Sequence, residues 1–383
     1  MTMAQSAELI TTDKGVDDVI ERCFANSIYA LDTEFHREKS YYPKLALIQI
    51  NFGSGVALID PTVISVSPLE TLFKSNCVAV MHACIQDLEV LNRYCNTAPK
   101  RIFDTQIAAG FLGLRTPSLS ALHEKFLKKK LPKGERLTDW FQRPLSKRQL
   151  EYARSDVADL LEIFELLSNE LKVRQRMAWA QAEFDQVTNR QNEPKEPNQA
   201  WIRIKETRHL GANGRGVAQA LAEWREIEAQ SHDIPARFII SDIAVVGIAQ
   251  RLPETMDELI GVRGVDRKHV ADNRGRNLLD LVEIGKKQQV KPPNGKKEKH
   301  LDPSLRPAAT LISAWLAQFA KDADLDPALL GTRSDIELLL RKDGSSRLLK
   351  GWRAEYVGEP IKKLLEGKAS LAFEDGRLHL EDR

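Results

Sequence analysis

Two acids one residue apart, Asp32 and Glu34 in Leu31-Asp32-Thr33-Glu34-Phe35, interrupt an otherwise apolar run. In an extended strand, residues two apart leave the same face, so the two carboxylates stand side by side. Holding such a pair away from water is unfavourable unless cations neutralise it. Mg²⁺ suits that task, because it takes carboxylate oxygens and keeps several waters for a substrate phosphate. The plainer reading is a strand end that emerges into solvent with two harmless acids. A third acid, Asp87, follows an apolar run in Met81-His82-Ala83-Cys84-Ile85-Gln86-Asp87. In the first turn of a helix it gains from the helix dipole with or without a metal. His82 reads as a packed, satisfied histidine. Tyr152 and Asp156 are four residues apart, on one face of a helix. There a phenol can orient, or help deprotonate, an attacking water beside a metal-binding carboxylate. The alternative is a half-buried tyrosine next to a surface acid. Asp159 and Glu162, further along the same helix, are expected to be solvated.

These residues need elements to carry them. Apolar, β-branched runs at 28–35, 45–52 and 56–60, separated by short connections, predict a meander of three strands. A short strand at 78–82 leads into a helix over 85–94. Asp104 in Phe103-Asp104-Thr105-Gln106 is placed to cap a helix. Ser146-Lys147-Arg148-Gln149 fits a capping box, and helical spacing of Leu150, Ala153, Val157, Leu160, Leu161, Phe164 and Leu167 predicts one long helix to about residue 171.

Composition bounds the rest. The 383 residues exceed one ordinary core, and 42% hydrophobic with 29% charged residues describes a soluble globular chain. No apolar run approaches the ~20 residues that cross a bilayer. No basic stretch leads into an apolar export signal at the N-terminus, so a cytoplasmic protein is expected. Cys23, Cys77, Cys84 and Cys95 show no Cys-x-x-Cys spacing, which argues against a disulfide scaffold or structural zinc. They are expected to be reduced, packed thiols. A net charge of +2 says little about nucleic acid, so local clusters matter more.

In order and context, the acid-bearing segments resemble the three exonuclease motifs of the DEDD superfamily, in its tyrosine-bearing branch. The surroundings resemble the ribonuclease D family: Tyr41-Tyr42-Pro43 after the first motif, Phe103-Asp104-Thr105-Gln106, Lys133-Gly134-Glu135, Asp139-Trp140 and Arg143-Pro144-Leu145. The likeness runs from about residue 8 to about residue 180, and no catalytic position departs from the pattern. It implies an α/β ribonuclease H-like fold, a mixed sheet flanked by helices with the first three strands antiparallel. It also implies release of 5′-mononucleotides, one at a time, from RNA 3′ ends in tRNA precursors and other small structured RNAs. Two metals ~4 Å apart can support the entering and the leaving oxygen of such a hydrolysis. The implied ligands are Asp32, Glu34, Asp87 and Asp156, with Glu34 also near the terminal ribose and Tyr152 at the attacking water. Mg²⁺ is the expected ion and Mn²⁺ the alternative.

The exonuclease domain is assigned to 1–190. Apolar residues other than proline are missing from 189–198, which reads as a linker. Residues 199–285 resemble the helicase-and-RNase-D C-terminal (HRDC) domain, through 218–226 and the helix–hairpin–helix-like 258–265. Gly211-Ala212-Asn213-Gly214-Arg215-Gly216 follows no strand, so it reads as an interhelical loop rather than a nucleotide-binding loop. A basic linker at 286–303 and a second, divergent HRDC-like helical domain at 304–383 complete the plan, making two small all-α domains. Lys125, Lys128, Lys129, Lys130, Lys133 and Arg136 form one basic cluster, and the linker forms another. Each is either a solvated face or a phosphate contact. Three functions follow: an RNA exonuclease acting as a monomer, a DNA exonuclease of the same branch, or a non-catalytic RNA-binding protein on this scaffold. The last would predict lost acids, yet all four are present. Membrane association is not expected.

Overall fold

The computed structural model describes residues 7–132, 134–135, 138–191, 196–291 and 301–383. Lys133 and Arg136 of the first basic cluster, and 292–300 of the second linker, lie outside the described residues, as do 192–195 of the first. The chain forms two compact units. Unit 1 comprises the described residues of Met1–Phe35, Leu45–Asn192 and Leu301–Arg383; unit 2 comprises those of His36–Lys44 and Glu193–His300.

Unit 1 is built on β1 (Ala7–Ile10), β2 (Ile28–His36), β3 (Lys44–Asn51), β4 (Val56–Ile59), β5 (Val78–Met81) and β6 (Arg101–Asp104), in the sheet order β1-β4-β3-β2-β5-β6. β3 and β4 run antiparallel, whereas β1–β4, β2–β5 and β5–β6 are parallel, so the sheet is mixed. The meander accounts for β2, β3 and β4. β1 (Ala7-Glu8-Leu9-Ile10) and β6 (Arg101-Ile102-Phe103-Asp104) carry charged residues and lack the unbroken apolar run that marks the equally short β4 and β5. Around the sheet pack α1 (Asp13–Asn26), α2 (Ile85–Tyr94), α3 (Thr105–Gly110), α4 (Lys147–Ala158), α5 (Leu160–Val173) and α6 (Met177–Gln191).

The expected capping box is present: Ser146 and Gln149 satisfy each other's backbone amides at the start of α4. The single long helix is not. It breaks at Asp159 (φ −104°, ψ 2°), leaving α4 and α5 as separate segments. The freed carbonyls of Val157 and Ala158 accept from the buried Asn51 Nδ2 at 3.1 and 2.9 Å, which offsets the lost helical bonds.

Leu301–Arg383 belongs to the same hydrophobic core as the sheet. Its helices include Arg306–Asp322, and a hairpin of β7 (Ala369–Glu374) and β8 (Arg377–Asp382) adds two strands to a region read as helical with a short tail.

Unit 2 has its own core around α7 (Ala212–His232), α8 (Asp242–Arg251) and α9 (Arg274–Lys287). Gly211 is the N-cap of α7, so residues 212–216 are helix and not the expected loop. The glycines serve a close crossing instead: a Cβ on Gly216 would meet the Gly285 carbonyl oxygen at 2.2 Å. Segment 36–44 belongs to this unit. Tyr41 donates to Glu226 at 2.5 Å and accepts from Gln230 at 3.1 Å, and the Tyr42 amide donates to Asp233 at 3.1 Å. All four cysteines are free and buried. Among the described residues no helix is long and apolar enough to cross a membrane.

Candidate active site

Three elements supply the acids. Asp32 and Glu34 lie on β2, Asp87 in the first turn of α2, and Asp156 near the end of α4. Asp32 keeps some accessible surface, yet protein surrounds it densely. Burial pushes its carboxyl well above the usual carboxylate range, and the charges of Asp87, Asp156 and Glu34 push it further. Asp87 is 8% exposed. Burial raises its pKa to about 7, against the lowering effect of a hydrogen bond from Thr33 Oγ1 at 2.5 Å. Burial likewise raises Asp156 to about 7, with nearby His123 acting in the opposite sense. Tyr152 precedes Asp156 by one turn, and its half-buried ring lies 6.1 Å from that of Trp140.

The structure thus brings the four acids within electrostatic reach of one another, with Tyr152 on the same helix as Asp156. Among the described residues, however, no three His, Cys, Asp or Glu side chains stand as a ready metal-holding group. The fit to a divalent ion is therefore one of donor type and charge: oxygen-only, anionic and partly desolvated, as hard cations prefer.

Asp104 does more than its sequence position suggests. It caps α3 by accepting from Gln106 N at 2.8 Å and Ile107 N at 3.1 Å. It also accepts from Ala83 N at 3.3 Å and Cys84 N at 3.0 Å, which ties the start of the Asp87 helix to the end of β6. Ala83 has φ of 54°, a left-handed conformation unusual for a residue with a Cβ. His82 is satisfied as expected, through Thr105 Oγ1 at 2.9 Å.

Asp159 is not solvated as its sequence position suggested. Lys129 Nζ lies 2.8 Å from one oxygen, and the fully buried His123 presents Nε2 3.5 Å from the other. The His123 contact, opposed by burial and aided by Lys129, holds the Asp159 carboxyl down at about 2. No signal in the sequence marks His123, Thr33 or Asn51, because each acts on a segment distant along the chain. Only the capping half of Asp104's work is legible.

A family model described as 3′-5′ exonuclease matches residues 7–172, and an HRDC domain model matches residues 215–282. The mixed sheet with its flanking helices is that of a 3′→5′ exonuclease, a fold that implies dependence on divalent metal. Ribonuclease D of Zymomonas mobilis is 33% identical over 378 residues, 97% of either chain. Ribonuclease D of Sphingobium indicum is 34% identical over 389 residues, covering 97% of this chain and 98% of its own. The crystal structure of Escherichia coli RNase D, an exoribonuclease involved in structured RNA processing, aligns with a TM-score of 0.84 at 30% identity, covering 95% of this chain and 99% of that one. The chain belongs to the ribonuclease D family and is an exoribonuclease.

Proposed function

We propose that the protein trims the 3′ ends of tRNA precursors and other small structured RNAs, releasing 5′-mononucleotides, through the site formed by Asp32, Glu34, Asp87, Tyr152 and Asp156. The observation that carries this reading is the environment of Asp32, whose proton affinity is raised by burial and by three further acids, Glu34 on its own strand and Asp87 and Asp156 from two helices. Such a concentration of negative charge is costly in a folded protein unless it serves cations. Asp32, Glu34, Asp87 and Asp156 would hold two divalent ions, Mg²⁺ or Mn²⁺. When bound, such ions offset the charge that builds up on the scissile phosphate and on the entering and leaving oxygens. Tyr152 is assigned to the attacking water, which its phenol would orient or help deprotonate. Glu34 is assigned to the terminal ribose as well, and Thr33 holds Asp87 in place. The HRDC-type module (199–285), the helical region 304–383 and the basic segments would grip RNA by charge and shape rather than by base stacking. The same reading takes the protein to be a cytoplasmic monomer.

The test is digestion of a 3′-tailed tRNA, with and without EDTA, resolved at single nucleotides. Stepwise products that vanish in EDTA are expected, and matched single-stranded RNA and DNA substrates decide the sugar preference. Asp32→Asn should lower kcat on the order of 100-fold or more while the protein stays folded. Wild-type activity of that variant at saturating Mg²⁺ would remove the assignment.

A further inference from the structure

The break between α4 and α5 lies immediately after the Tyr152–Asp156 segment, and one buried side chain from another part of the sheet holds it. Asn51, at the end of β3, is 2% exposed. Its Nδ2 donates to the carbonyls of Val157 at 3.1 Å and Ala158 at 2.9 Å. Its Oδ1 accepts from Gly53 N at 2.9 Å, so the amide's orientation is set by the turn that follows β3. Both donor hydrogens and the acceptor therefore have defined partners. On the far side of the break, Asp159 is gripped by Lys129 at 2.8 Å and faced by His123 at 3.5 Å. His123 Nδ1 is in turn 3.0 Å from the Leu119 carbonyl.

A continuous helix would need none of these contacts. Hydrophobic packing alone leaves a helix some freedom to slide and rotate, whereas two directed bonds to successive carbonyls fix both its end point and its rotation. Here the carbonyl of Val157 belongs to the residue next to Asp156. A small rotation at this point would swing the Asp156 carboxylate, and with it the Tyr152 hydroxyl one turn earlier, relative to the acids on β2 and α2.

We propose that Asn51 is a positioning residue for the reaction, with the His123–Asp159–Lys129 cluster as its counterpart across the break. Together they lock the α4 terminus and set where Asp156 and Tyr152 stand against Asp32, Glu34 and Asp87. This rests on the reading of Asp156 and Tyr152 as members of the site. Asn51 touches neither substrate nor reacting atoms, so its loss should change metal affinity and kcat, not substrate capture.

The variant Asn51→Asp preserves shape but removes both donor hydrogens and sets a carboxylate against two carbonyls. Three measurements apply: folding by circular dichroism, Mn²⁺ affinity by calorimetry without RNA, and kcat and KM on a short single-stranded oligoribonucleotide. Mn²⁺ affinity and kcat are each expected to fall about 10–100-fold, with KM within about threefold, as when groups orienting metal ligands are lost. A folded variant with wild-type Mn²⁺ affinity and kcat overturns the proposal. So does a loss that falls on KM alone. If Asn51→Asp does not fold, Asp159→Ala, which loosens the same break from its more exposed side, decides by the same criteria. Asp156→Asn is measured alongside. If it retains full activity, the reading of the site fails; if it is inactive while Asn51→Asp is unimpaired, only the positioning role fails.

Discussion

The two helical regions that follow the exonuclease segment are held together in opposite ways. Unit 2 closes a core of its own, with Trp201, Leu221, Val245, Leu259 and Leu278 among its buried residues. Leu301–Arg383 has no separate core; its Ile312, Trp315, Leu348, Trp352 and Ile361 are continuous with the interior of the exonuclease sheet and helices. The join is specific as well as apolar. Trp352 stacks on Trp179 of α6 at 4.8 Å and 9°. Arg353 pairs with the buried Glu183 at 2.6 Å, and Arg176 donates to the carbonyls of Phe111 and Ala323 at 2.6 and 2.5 Å. One region is a module in the energetic sense. The other is a late-arriving part of the catalytic unit, although both look alike as helical sequence.

The largest expected effect divides the two. Ending the chain before Leu301 should leave Phe111 and Trp179 uncovered and abolish cooperative folding of unit 1, seen as loss of its thermal transition while that of unit 2 persists. Replacing the stretch from Glu193 to His300 with a flexible linker, and keeping Leu301–Arg383, should preserve a folded unit that cleaves short oligoribonucleotides. If both deletions behave alike, the comparison is wrong.

A single substitution probes the same join. Arg353→Met leaves the buried Glu183 with the more distant Arg347, at 3.5 Å, and with Gln186, whose Nε2 donates to it at 3.3 Å. An uncompensated buried charge costs about 3–5 kcal/mol, and the partners that remain reduce the loss below that range. The loss of unfolding free energy, read from the denaturant midpoint and slope, should appear in the transition of unit 1 and leave that of unit 2 in place.

A third contrast is in pH dependence. Asp87 and Asp156 have pKa values raised to about 7 in the folded chain. Each binds its proton more tightly folded than unfolded, where a value near ~4 applies. The stability they contribute is therefore fully present below about pH 4 and lost as the pH rises through about 7. In EDTA the melting temperature of unit 1 should fall between about pH 5 and pH 8 and recover on adding Mg²⁺, with unit 2 far less affected. A flat profile for unit 1 would show that burial does not hold these two carboxyls up.

The smallest effect belongs to unit 2. Tyr41→Phe removes the hydroxyl that bridges Glu226 and Gln230, for an expected loss of about 1 kcal/mol in urea unfolding. A loss several times larger would mean that segment 36–44 is integral to that unit's folding.

What the sequence determined by itself is local or periodic. The strand meander, the Asp104 cap, the Ser146–Gln149 capping box and the spacing of Asp32 with Glu34 and of Tyr152 with Asp156 all follow from rules that act within a few residues. The matching order of three motifs then pointed to the family. Tertiary structure alone decided the rest. The helix breaks at Asp159 because Asn51, more than a hundred residues earlier, offers its carbonyls better-placed partners. Residues 212–216 prove helical, and Gly216 meets a facing glycine, Gly285, in a crossing too close for a Cβ. Residues 301–383 merge with the catalytic core because apolar periodicity records that a face is buried, and says nothing of what buries it.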